Sequence, residues 1–156
     1  MKKLFSLLAI ATLTLVSCGK NADTAAAGTE TKTEDKTVVK IGFIGPLTGG
    51  VAQYGIATKE GVELKIEEIN AQGGINGKKL ELITVDDKGD AKEAVNAYKK
   101  LVSNDKVDMI IGAVTSVPSN AIAELAEKDK MPMITPTGTN IDITGRKKYV
   151  PTKTLE

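Results

Sequence analysis

Four short apolar runs, three of them rich in β-branched residues, alternate with longer stretches of helical periodicity, and this alternation leaves few folds open. The runs are residues 38–44, 80–85, 107–111 and 131–134. After the first, Val62, Ile66 and Ile69 recur at helical spacing from about residue 54 to 72, where Gly73-Gly74 ends the pattern. After the second, Asp90 with Glu93 forms a capping box before Ala94, Val95, Tyr98, Leu101 and Val102 on one face. Ala121, Ile122 and Leu125 mark a third helix. Connections of a few residues between such elements imply parallel strands joined by right-handed crossovers. The expected fold is α/β: a doubly wound, mostly parallel sheet with helices on both faces. Ligands of such sheets bind beyond the carboxyl ends of the strands. Function is therefore sought in residues 45–54, 86–89, 112–119 and 135–140.

Composition removes several chemistries. The 156 residues carry 21 Lys+Arg against 20 Asp+Glu, a net charge of +1, without the basic excess that binding a polyphosphate backbone requires. No nucleic-acid partner is expected. There is no histidine, which excludes Ser-His-Asp and Cys-His catalysis and His-based metal sites. The single cysteine, Cys18, can form neither an internal disulfide nor a cysteine cluster. No metal, no cofactor and no catalytic residue is expected. An enzyme using Ser116 as nucleophile would need a lysine base in the third or fourth loop, and neither loop contains one.

The N-terminal region reads as an address. Lys2 and Lys3 precede an uncharged run over residues 4–16, shorter than the roughly 20 residues that span a bilayer as a helix. It ends in Leu15-Val16-Ser17-Cys18-Gly19, which resembles the bacterial lipobox. Residues 1–17 are expected to be a lipoprotein signal peptide and Cys18 the lipidated anchor. Residues 18–37 follow as a flexible tether, since from Gly19 to Thr37 no apolar side chain exceeds alanine. Residues 38–156 remain to fold.

The four loops differ in promise. The first, after Gly45-Pro46, has neither the G-x-G-x-x-G nor the P-loop spacing. Its glycines can serve simply to let backbones pass closely, and Tyr54 is its one ring, able to cover a small ligand at a cleft rim. Asp86-Asp87 is read as a solvated loop acid and a helix-supporting acid rather than a metal pair, because no third acid follows the first or third strand. The third loop leads into a helix through Thr115, Ser116 and Ser119, with Pro118 in the first turn. Unpaired N–H groups and the dipole there attract a carboxylate, and Ser116 adds a hydroxyl. The plainer reading makes Ser116 or Ser119 only an N-cap. The fourth loop brings Thr135, Thr137 and Thr139 to the same edge, completing a neutral polar pocket.

These residues carry a resemblance. The segments Val39-Lys40-Ile41-Gly42, Gly50-Val51-Ala52-Gln53-Tyr54-Gly55, Ile69-Asn70-Ala71-Gln72-Gly73-Gly74-Ile75-Asn76-Gly77, Asp86-Asp87 and Pro136-Thr137-Gly138-Thr139 are similar to the N-terminal lobe of the leucine/isoleucine/valine-binding proteins. These are type I periplasmic binding proteins that feed branched-chain amino-acid ABC transporters. The resemblance implies an extracytoplasmic solute-binding lipoprotein, held to the membrane at Cys18, that delivers a branched-chain or similar amino acid to permease subunits. It implies that the N–H and hydroxyl of Ser116, with Thr139, bind the ligand α-carboxylate. The Thr137 carbonyl and the Thr139 hydroxyl would then receive the α-ammonium, and Tyr54 would lie against the ligand side chain. Family members have a second lobe, and residues 150–156 depart from the usual continuation. The chain is thus expected to be a truncated N-terminal lobe with weak or absent affinity of its own. Urea or a short amide as ligand, and a truncated lobe without a transport role, are the alternatives.

Overall fold

The computed structural model describes residues 37–145 and 148–150. The expected signal peptide, the tether and Cys18 lie outside the described residues, apart from Thr37 at the tether's end. The element order is β1 (Val38–Gly45), α1 (Ala52–Ala71), β2 (Lys79–Asp86), α2 (Ala91–Lys99), β3 (Met109–Ile111), α3 (Ser116–Asp129) and β4 (Met133–Ile134). The strands form one parallel sheet in the order β2-β1-β3-β4. β1 pairs with β2 along its whole length, from Val38 opposite Lys79 to Gly45 opposite Asp86.

Alternation along β1 builds two cores. Ile41, with Val39 beside it, packs with Ile66, Val62 and Ile69 of α1 and with Leu80 and Leu82 of β2. Ile44, pointing the other way, joins Ala94, Ala97 and Tyr98 of α2, Ile122, Ala123 and Ala126 of α3, and Ile110 of β3. Helices therefore cover both faces, as the doubly wound pattern requires.

The I-N-A-x-G-G run has a structural purpose. The Asn70 side chain accepts the Leu80 N–H at 2.8 Å and donates to the Leu80 carbonyl at 2.8 Å, so the end of α1 pairs with the start of β2 like an added strand residue. Gly74 N–H returns to the Ile69 carbonyl at 2.9 Å, and the following turn closes between Ile75 and Lys78.

Two boundaries differ from the periodicity. The helical face through Leu101 and Val102 is not one α-helix, because α2 ends at Lys99 and a π-helical turn covers Lys100–Asp105. The wider turn still buries Leu101 completely, under Gly42 of β1. The regular ladder of the third run begins at Met109: Val107 N–H bonds back to the Leu101 carbonyl, while Asp108 N–H already reaches the Lys40 carbonyl of β1. A 3-10 turn, Ile141–Ile143, follows β4, and Tyr149 accepts the Met133 N–H at 2.9 Å. Truncating Leu101 to alanine leaves a void between β1 and the π-helical turn, so Leu101→Ala should lower unfolding stability by about 2–5 kcal/mol in urea titration.

Candidate functional site

The strand order creates the crevice. From β1 the chain crosses outward to β2, then back over β1 to β3, so the connections leave the adjacent ends of β1 and β3 in opposite directions. α1 and α3 begin at those two ends. Neither has a side-chain cap: Val51 and Thr115 occupy the cap positions and make no side-chain capping bond. α2 does not flank the crevice and is capped by Asp90, which accepts from Lys92 and Glu93 N–H at 2.8 and 3.0 Å. The first-turn N–H groups of α3, at Ser116 and Val117, have no intrahelical acceptor and favour an anion.

Ser116 is the first residue of α3 rather than its cap, which corrects the plainer reading, and Ser119 turns inward instead of capping. The path into α3 demands a glycine at 112. Gly112 has φ +132°, and a Cβ there would lie 2.1 Å from the Ile44 carbonyl oxygen. Gly55 has a similar role at α1, where a Cβ would meet the Pro46 carbonyl oxygen at 1.9 Å. Both helix starts are thereby drawn close against the strand ends.

Hydrogen-bond direction gives this sheet edge its chemistry. Thr139 N–H donates to Ser116 Oγ at 3.2 Å, and this leaves the Ser116 hydroxyl proton free to donate outward. Thr137 Oγ1 donates to the Val114 carbonyl at 2.5 Å, and this leaves its lone pairs free to accept. A donor set and an acceptor set therefore stand side by side, without a charged side chain among them. The structure brings Ser116, Thr137 and Thr139 together through these bonds. Tyr54, in the first turn of α1 on the β1 side, is 55% exposed and shares no hydrogen bond with the other three.

The acidic pair proves different from its sequence reading. Asp86 is partly buried and straps the first loop: Oδ1 accepts the Leu47 N–H at 2.8 Å and Oδ2 the Thr48 hydroxyl at 2.6 Å. Burial works to raise its pKa, but these bonds and those from the Lys88 and Thr48 N–H groups outweigh it, so the carboxyl sits below its ordinary value. Asp87, read as the helix-supporting acid, is fully buried and does not cap α2, while its N–H bonds to the Gly45 carbonyl. Its Oδ1 accepts the Gly89 N–H at 2.8 Å, whereas Oδ2 has no partner. Burial, with the neighbouring Asp86 and Asp90 charges, raises its pKa. Among the described residues no group of His, Cys, Asp and Glu side chains gathers to hold a metal.

Sequence reasoning named Ser119 and Thr135 without separating them from the exposed hydroxyls. The available signal was that Thr135 shares the face of Met133 on the extended chain, and both are buried while Ile134 between them is exposed.

A family model described as a periplasmic binding protein matches residues 38–152. A leucine-, isoleucine-, valine-, threonine- and alanine-binding protein of Pseudomonas aeruginosa is 42% identical over 108 residues, covering 69% of this chain and 29% of that protein. The isoleucine complex of a branched-chain amino acid transporter substrate-binding protein from Streptococcus pneumoniae aligns with TM-score 0.71 and 36% identity, over 74% of this chain and 33% of the other. A solute-binding protein of an ABC transporter from Rhodopseudomonas palustris, in complex with 3,4-dihydroxybenzoic acid, aligns with TM-score 0.69 and 31% identity, over 75% and 32%. The chain thus spans under a third of the length of the curated relatives it matches.

An unmatched buried carboxylate oxygen costs about 1–3 kcal/mol, and a raised acid pKa makes that cost greatest when the group is charged. Asp87→Asn keeps the Gly89 bond and removes the charge. It should raise the thermal midpoint at pH 7, with the gain disappearing as pH falls toward the ordinary aspartate value of 3.8. Asp86 has the opposite sign: its strap stabilises the fold above that value and is lost as pH drops through its lowered pKa.

Proposed function

The chain belongs to the periplasmic binding protein family, and on that premise we propose that it is the N-terminal lobe of an extracytoplasmic solute-binding protein of an ABC transporter. It binds a branched-chain or similar amino acid for delivery to permease subunits and catalyses nothing. It is tethered outside the membrane by a lipid on Cys18. The observation that carries the ligand class is the direction of the hydrogen bonds at the β3 and β4 ends. A zwitterion needs donors for its carboxylate and acceptors for its ammonium within a few ångströms, and net charge on the protein helps only one of the two. The Ser116 hydroxyl and the α3 N–H groups supply the donors. The Thr137 and Thr139 oxygens supply the acceptors, and Tyr54 forms an apolar wall. Thr137 and Thr139 are exposed and Ser116 is half-buried, so this lobe by itself encloses a ligand on one side only and its affinity is weak.

An aromatic carboxylate is the second reading, favoured by the dihydroxybenzoate complex of the Rhodopseudomonas palustris relative. It would use the α3 donors and leave the Thr137 and Thr139 acceptors idle.

Titration of the 15N-labelled chain with L-leucine, urea and 3,4-dihydroxybenzoate separates these ligands. Leucine should shift the Ser116, Val117 and Thr139 amides, and Ser116→Ala should weaken that response about tenfold or more, the scale of a lost hydrogen bond to a charged group. Response to dihydroxybenzoate alone would replace the amino acid with an aromatic acid, and response to urea alone would replace it with an amide. No response to any of them at millimolar concentration would overturn the reading for this chain.

A further inference from the structure

Beneath the exposed site lies a pair of hydroxyls shielded from solvent. Ser119 is fully buried and Thr135 is 8% exposed. Ser119 Oγ lies 2.6 Å from the Ala113 carbonyl, 2.8 Å from the Thr115 carbonyl and 3.1 Å from Thr135 Oγ1. Thr135 Oγ1 donates to the Ala113 carbonyl at 2.9 Å and accepts the Gly138 N–H at 3.2 Å. We infer that Ser119 and Thr135 are positioning residues that hold the loop before α3 and the loop after β4 in the register the site requires. The inference rests on the proposed function for its ligand, though not for its geometry.

Three bridges join the two loops, and only one is safe from competition. Thr137 to Val114 and Thr139 to Ser116 are made by groups at the surface, the same groups a ligand would engage. Thr137 and Thr139 are exposed, so water competes for both bonds. The inner bridge excludes water, so the loop spacing persists while the outer hydroxyls engage a ligand. Each hydroxyl has one proton. With Thr135 donating to Ala113, Ser119 donates to Ala113 or Thr115, and in either arrangement the Ala113 carbonyl is tied through Thr135 to the Gly138 amide. Neither hydroxyl is needed by its own element. Alanine is the better helix former at 119, and valine matches threonine in shape at the end of β4.

The test is Thr135→Val against Thr135→Ser, with Ser119→Ala giving the same reading should Thr135→Val fail to fold. Two quantities are measured on the full chain by NMR: hydrogen exchange of the Thr139 amide, and the L-leucine response. Thr135→Val should speed Thr139 exchange about tenfold while β1 amides keep their protection, and should weaken leucine binding by a similar factor. Thr135→Ser should restore both. A uniform rise in exchange across β1 and Thr139 alike would reduce the pair to ordinary core stability and overturn the inference. So would wild-type leucine binding in Thr135→Val. If the wild-type chain shows no leucine response, the proposed function fails, and selective Thr139 exchange alone decides the positioning role.

Discussion

Strand β1 is the constraint on which everything else depends. It is hydrogen-bonded along both edges, to β2 and to β3, and covered by helices on both faces. A parallel strand so enclosed cannot exchange its backbone bonds with water, and its neighbours must match its register. Its alternating side chains divide the interior into an α1 core and an α2–α3 core. Its carboxyl end fixes where the first loop begins, and through Gly112 packed against the Ile44 carbonyl it also fixes where the third loop turns into α3.

The site at that end works by direction rather than by charge. No ionised side chain belongs to it, and the two acids nearby are committed elsewhere, Asp86 to the first loop and Asp87 to the interior. Hydroxyls have one proton and two lone pairs, so each intramolecular bond they make decides what remains to offer a ligand. Ser116 spends a lone pair and keeps its proton, whereas Thr137 spends its proton and keeps its lone pairs. Neutral groups arranged in this way offer donors and acceptors without the desolvation that a buried charge would impose.

Much of the fold was legible because apolar periodicity reports directly on burial. The four strands, the three helices and the Asp90 cap lie where period and capping pattern put them. Leu101 departs from this pattern: its spacing predicts continuation of an α-helix while the chain widens into a π-helical turn. So does Val107, an apolar residue next to a strand that is drawn out of the ladder by its bond to Leu101. At both places a contact distant from the local pattern outweighs local preference.

The site divides along the same line. Sequence alone determined the sheet edge and the hydroxyl character of the loops, because residue type and order are local properties. Tertiary structure decided which hydroxyls are exposed and which face each other, that Thr115 rather than Ser116 takes the cap position, and that Asp87 is buried. Those outcomes depend on bonds between loops more than fifteen residues apart in sequence, such as Thr139 to Ser116 and Thr135 to Ala113. A hydrogen bond is made or lost within a fraction of an ångström, and only the assembled sheet brings such loops that close.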